Sequence, residues 1–139
     1  HIIADTCAKI PEFIRYIDTL DSEQITACLD IGHTTLVEQL DEPWDFVRAL
    51  GRDRLGALHV HDTDYRGDLH THPYNGIINW GEVTRALGEI DYQGDFTYEI
   101  GAPWAKWMDD GMVEIQARYL SELGHHLISG IDAARPAKA

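Results

Sequence analysis

Cations are scarce in this chain: 11 Lys and Arg stand against 24 Asp and Glu, a formal net charge of −13 over 139 residues. A surface this acidic repels a phosphate backbone, which excludes nucleic-acid binding as the main role and favours small neutral or cationic ligands. Cysteine is scarcer still. Cys7 and Cys28 lack the paired spacing of a zinc site. Cys28 lies in an apolar run where a reduced, buried thiol is the default, so a reducing cytoplasm is expected. No stretch approaches the roughly 18 consecutive apolar residues that cross a membrane, and no basic-then-apolar start marks a secretory signal. An initiator methionine is missing too, because the chain opens at His1; we expect a trimmed start or a piece of something longer.

What is present is the make-up of one globular domain, with 44% hydrophobic and 25% charged residues, enough to bury a sizeable core. The domain is expected over residues 1–129, followed by a frayed tail over 130–139 rich in Ala and Pro. Histidine is concentrated rather than spread. Residues 58–72, LHVHDTDYRGDLHTH, hold four of the 8 histidines and three aspartates. If residues 58–62 are a strand, His59 and His61 share one face while Leu58, Val60 and Asp62 take the other. The loop beyond carries Asp64, Arg66, Asp68, His70 and His72, residue types that bind metals or grip polyols without a packed core around them.

Ile10, Phe13, Ile14, Ile17 and Leu20 recur at helical spacing, with Pro11 and Glu12 where a first turn accepts them. ITACLD, residues 25–30, reads as a buried strand ending in the polar cluster Asp30-Ile31-Gly32-His33. Glu42-Pro43 opens a second helix that turns Phe46, Val47 and Leu50 inward and ends at Gly51. A strand over 57–62 runs into the polar loop. Asn79 to Glu82 then has the pattern of an N-cap with its reciprocal acid, ahead of a third helix carrying Val83, Ala86, Leu87 and Ile90. FTYEI, residues 96–100, is a third strand, and Met112, Ile115, Tyr119, Leu123 and Leu127 mark a last amphipathic helix.

Helices alternating with strands imply right-handed crossovers and a parallel sheet, hence an α/β fold. Ligands bind such folds at the C-terminal ends of the strands. There Asp30, His33, His59, His61 and Glu99 converge on one mouth, with donors of the kinds that hold a divalent metal. A competing reading makes His59 a hydrogen-bonded core histidine, and that bland reading is the favoured one for His61, His72, His125 and His126. Trp80, Trp104 and Trp107 read as core or rim packing, with Trp104 near enough to Glu99 to line the mouth.

The stretches CLDIGH, LHVHDTDYRGDLHTHPYNGIINW and FTYEI resemble the sugar phosphate isomerase/epimerase family of xylose-isomerase-like TIM barrels, from about residue 11 to 128. The Asp-x-Gly-His, His-x-His-Asp, Asp-x-His and Gly-x-Ile-Asn-Trp elements appear in family order and spacing. The resemblance implies a parallel (β/α) half-barrel, the last three strands of an eight-stranded barrel. It implies a metal held by Asp30, His59 and Glu99, while a further family glutamate belongs on a strand upstream of His1. His33 falls on the substrate-contacting histidine of the epimerases and Arg66 near a substrate-gripping arginine. Asp68 and His70 match a pair that joins an extra metal in the endonuclease IV branch. This chain has Asn79 where the family usually has Asp; Asn79 still caps a helix and leaves the fold little affected. His72 and Asn75 stand where the family is more often apolar or small, and these loop changes bear on which sugar is bound.

The implied activity is a divalent-metal-dependent sugar or sugar phosphate isomerase or 3-epimerase, moving a proton through an ene-diolate. Glu99 and His33 would be catalytic, and His33, Arg66, Asp68 and His70 would bind the substrate. Mixed oxygen and imidazole donors suit manganese first, then magnesium, cobalt or zinc. Without the upstream glutamate the isolated chain should be a weak catalyst or none. Three strands leave two open edges, so a homodimer or higher assembly is expected to cover them. Two other readings are an endonuclease IV-like hydrolase and a non-catalytic half-barrel that serves as an assembly unit.

Overall fold

A proline in the first turn and an apolar stripe at helical spacing produce helix α1 (Ile10–Leu20), which ends at Asp21 in a left-handed conformation with φ 43°. Ile10, Phe13, Ile14 and Ile17 pack on the core, while Leu20 stays exposed. The computed structural model describes residues 7–36, 41–64, 66–101 and 108–137. Strand β1 (Ala27–Asp30) follows α1, and helix α2 (Pro43–Arg54) leads directly into strand β2 (Leu55–His59). The Glu42 N–H donates to Asp45 Oδ2 at 3.0 Å and starts α2. Gly51, the expected end of this helix, breaks its helical backbone with φ 66° and ψ −179°, a conformation that costs glycine little.

The two strands pair in parallel, with Asp30 opposite His59. The expected third strand is reduced to one parallel bridge, Val60 with Tyr98. The Val60 N–H donates to Thr97 O at 2.8 Å and the Glu99 N–H to Val60 O at 3.1 Å. The ladder stops there because the next groups find partners in the loop: Gly101 N–H donates to His70 O at 2.9 Å, and Glu99 O accepts from His70 Nδ1 at 2.8 Å. The order across the layer is still β1, β2, then residues 97–99, all parallel.

Alternation along the strands decides what is buried. Ala27, Leu29, Leu58 and Val60 face one way, joined by Leu55 through a register irregularity that sets Ala27 opposite Leu55 and Cys28 opposite Ala57. They form a single core with Phe46, Val47 and Leu50 of α2, and with the helices α3 (Trp80–Glu89) and α4 (Asp110–Ala133). The other face carries Cys28, Ala57, Asp30, His59 and Glu99, the first two exposed and the rest half-buried. The burial expected for Cys28 is therefore wrong: only every second residue of β1 meets the helices, and Cys28 falls on the open face.

Asn79 Oδ1 caps α3 by accepting from the Glu82 N–H at 3.3 Å. The Glu82 carboxylate faces Arg85 at 2.7 Å and Arg48 at 3.6 Å. α4 opens on Asp109, whose Oδ1 accepts from the Met112 N–H at 2.9 Å. Its expected apolar stripe is only half used: Leu127 and Ile131 are buried and Leu123 partly so, whereas Met112, Ile115 and Tyr119 are 44%, 57% and 46% exposed. The helix continues into the stretch read as a tail because Ile131 is in the core and Arg135 bonds Tyr92 O at 2.8 Å and the Asp91 carboxylate.

Candidate metal centre

Asp30 ends β1 and at once organises the turn that follows. Its Oδ1 accepts from the His33 N–H at 2.9 Å, which helps set a short 3-10 turn over His33–Thr35, and Thr34 and Thr35 hydroxyls back-bond to Ile31 O and Gly32 O at 2.7 and 2.8 Å. The same Oδ1 pairs with His61 Nε2 at 2.8 Å. Asp30 Oδ2 is left 3.1 Å from His33 Nδ1 and 3.8 Å from His59 Nδ1. Burial acts to raise the Asp30 pKa, but the hydrogen bonds from the His61 ring and the His33 N–H outweigh it and hold the carboxyl at about 2. This group is an anion at any neutral pH.

His59 and Glu99 arrive from the two neighbouring segments. His59 Nδ1 lies 2.9 Å from Glu99 Oε2, yet Glu99 Oε2 is buried and has no hydrogen-bond partner. Two donor atoms that close, without the alignment of a hydrogen bond, aim at a shared point rather than at each other. One ligand atom each from Asp30, His59 and Glu99 lies within 4.8 Å of the others. Two carboxylates and an imidazole on three parallel segments suit a divalent ion with open positions left over.

Beside this trio a second cluster is assembled by Asp62, which is fully buried. Asp62 Oδ1 accepts from the N–H groups of Thr63, Ile77 and Ile78 at 2.9, 3.0 and 3.1 Å. Its Oδ2 accepts from the Tyr74 N–H at 3.1 Å and Trp80 Nε1 at 2.8 Å. Gly76 makes room, since a Cβ there would fall 2.1 Å from Thr63 O. An antiparallel bridge from Asp62 to Thr71 folds the loop back. His70 then stacks on His61 with ring centroids 4.0 Å apart, and Asp68 Oδ1 lies 2.9 Å from His70 Nε2 and 3.2 Å from His33 Nε2. Burial lowers the pKa of His70, but the Glu99 carbonyl and the Asp68 carboxylate outweigh it, and the net shift is upward. His33, His61, Asp68 and His70 each offer an atom within 4.8 Å of the others.

The structure thus brings Asp30, His33, His59, Asp68, His70 and Glu99 together in two adjoining groups. Arg66 is exposed, with its N–H donating to Asp64 Oδ1 at 2.9 Å. His61 was expected at the mouth but read as a core histidine, and Asp62, which belongs to neither group but supports the second, is the residue that sequence reasoning passed over. Alternation already put His61 on the His59 face, which was its signal; Asp62 carries no local signal, because four of its five donors lie 12 to 18 residues away. His72 instead lines a pocket of about 390 Å³ with Asn75, Gln116 and Tyr119, and His70 borders that pocket as well. His125 bonds Ser121 O at 2.7 Å on the exposed side of α4. Trp80 is core, and Trp104 and Trp107 lie outside the described residues.

A family model described as xylose isomerase-like TIM barrel matches residues 3–121. A D-psicose 3-epimerase of Enterocloster bolteae is 30% identical over an alignment of 115 positions that covers 77% of this chain and 35% of that protein. An uncharacterised protein of Methanocaldococcus jannaschii is 33% identical over 88 residues, 62% of this chain and 29% of its own length. Among solved structures, a D-tagatose 3-epimerase-like protein superposes with a TM-score of 0.57 at 25% identity, covering 86% of this chain and 43% of that one. The chain therefore spans about a third of the length of these curated relatives and less than half of the solved one.

Proposed function

The chain belongs to the xylose isomerase-like TIM-barrel family, and from that premise we propose that it carries the metal half-site of a sugar isomerase or 3-epimerase. The observation that supports this most is the convergence of Asp30, His59 and Glu99, one ligand atom each within 4.8 Å, with Glu99 Oε2 buried, 2.9 Å from His59 Nδ1 and without a hydrogen-bond partner. A divalent ion, manganese first by donor type, would supply there a positive charge that polarises a carbonyl and makes the neighbouring carbon acidic. Glu99 takes the proton from that carbon. Asp30 and His59 hold their atoms on the open sheet face, where a sugar's adjacent oxygens can approach. His33, whose Nε2 has no hydrogen-bond partner, would offer its ring to a further hydroxyl, and the Asp68 carboxylate held between His33 and His70 would accept from another.

Two free cysteines fit a reducing, cytoplasmic setting. The open sheet face, with Cys28 and Ala57 exposed, is the face that the remaining strands cover in a complete barrel; for this chain alone a second copy would cover it. The cluster of His33, His61, Asp68 and His70 favours one other reading, a two-ion hydrolase of the endonuclease IV kind. The net charge of −13 weighs against nucleic acid as its substrate.

The reaction class is tested by incubating D-psicose and D-fructose with the chain and Mn²⁺ in D₂O and following loss of the C3 proton signal by NMR. Slow exchange is expected from the parent and none from Glu99→Gln, whose amide accepts no proton. Exchange by the variant at the parental rate, or none by the parent at saturating Mn²⁺, would overturn the proposal.

A further inference from the structure

We propose that His61 is a positioning residue that fixes the Asp30 carboxylate so that only Oδ2 is left to hold an ion. This rests on the reading of Asp30 as a ligand. Asp30 Oδ1 receives two donors, the His33 N–H at 2.9 Å and His61 Nε2 at 2.8 Å, and that oxygen is occupied by the protein itself. The other oxygen stays on the side of His59 and Glu99. A carboxylate anchored in this way offers a single atom rather than two, which leaves room at the ion for the adjacent oxygens of a polyol.

The His61 ring is held on every side. It is fully buried, stacked on His70 at a centroid distance of 4.0 Å and an interplanar angle of 12°, and meets the edge of His33 at 5.2 Å. Gly32 lies against it so closely that a Cβ there would fall 2.0 Å from His61 Cε1. The Gly32 backbone, at φ −64° and ψ −44°, would accept any L residue, so the ring alone excludes a side chain. His61 Nδ1 is buried without a hydrogen-bond partner. Among the described residues the bond to Asp30 is therefore the ring's only hydrogen bond, which puts its proton on Nε2 as donor to the carboxylate. A histidine present merely to fill space has no need of that bond, and a phenylalanine would fill the volume as well.

The test is Mn²⁺ binding, read from the EPR signal of the free ion, on the parent, Asp30→Ala, His61→Phe, His61→Gln and Gly32→Ala, with circular dichroism for the fold of each. The parent is expected to bind one Mn²⁺ and Asp30→Ala to lose it. Affinity should fall roughly 10- to 100-fold in His61→Phe, and comparably in Gly32→Ala, whose methyl displaces the ring. His61→Gln, which keeps an N–H near the Nε2 position, should stay within about threefold of the parent. Parental affinity in His61→Phe, or an equal loss in His61→Gln, overturns the positioning role while leaving Asp30 as ligand. If His61→Phe does not fold, parental affinity in Gly32→Ala overturns it equally. Absence of Mn²⁺ binding in the parent, or undiminished binding in Asp30→Ala, instead overturns the ligand reading and the proposal with it.

Discussion

Replacing Asp62 by Asn should cost this chain more stability than any other change of one atom at the site. Five donors converge on the carboxylate, three on Oδ1 and two on Oδ2. An asparagine keeps one carbonyl oxygen and turns the other into an NH₂ group. With the oxygen kept on the three-donor side, the NH₂ faces the Tyr74 N–H and Trp80 Nε1. Tyr74 is 55% exposed, so water can take its N–H, whereas Trp80 is fully buried and its Nε1 is stranded. One buried donor without a partner costs about 1 to 3 kcal/mol, and losing the charge on the remaining bonds adds to that, so about 2 to 4 kcal/mol is expected. Asp62→Ala strands three buried donors, on Thr63, Ile78 and Trp80, and at about 1 to 3 kcal/mol each that approaches the whole stability of a small domain. The assay is urea unfolding followed by circular dichroism, with the slope unchanged. A double-mutant cycle with Trp80→Phe, which removes the stranded donor, should return roughly 1 to 2 kcal/mol of coupling. An Asp62→Asn protein within about 0.5 kcal/mol of the parent, or a cycle without coupling, would refute the reasoning.

In metal-free protein the Asp30 pKa of about 2 lies below the ordinary carboxylate value of 3.8. Its contribution is therefore full above about pH 4 and is lost as pH falls toward 2. Asp30→Asn should flatten that acid limb by roughly 1 to 2 kcal/mol after solvent screening, and an unchanged limb in urea titrations would contradict this. Burial, helped by Asp95 and Cys28, pushes the Tyr92 phenol up to about 12. Between about pH 10 and 12 the folded chain keeps a proton that the unfolded chain has lost, so stability falls as pH rises there; Tyr92→Phe should remove this alkaline loss in melting curves. A Cβ on Gly88 would lie 2.5 Å from both Ala134 Cβ and Ile131 O, so Gly88→Ala should force α3 and α4 apart at a cost of about 1 to 3 kcal/mol, read as a lower melting temperature.

Much of this architecture is written in local patterns. The helical stripes of α1, α2 and α3, the glycine break at 51 and the Asn79 cap are consequences of sterics and of orphan N–H groups within a few residues, and they lie where the sequence puts them. Polar residues where strands end told where Asp30, His59 and Glu99 would meet. What local pattern cannot carry is partnership at a distance. Asp62 alternates onto the helix side, where a lone carboxylate would be unfavourable, and it is stabilised there by donors from residues 74–80. Residues 96–100 have the composition of a strand, but their hydrogen bonds are diverted to His70. Cys28 and the first turns of α4 read as buried because apolar spacing marks a face without saying whether anything covers it. His61 was legible as sharing the His59 face, but not as the ring that Gly32 makes room for.

Metal content is the first quantity to measure for the proposal that Asp30, His59 and Glu99 hold one divalent ion. The chain would be equilibrated with Mn²⁺, dialysed free of excess and measured by elemental analysis, in the parent and in Asp30→Ala. The parent is expected to keep close to one ion per chain and the variant to lose it with the fold retained. A parent chain that holds no metal, or a variant that holds as much, would contradict the proposal.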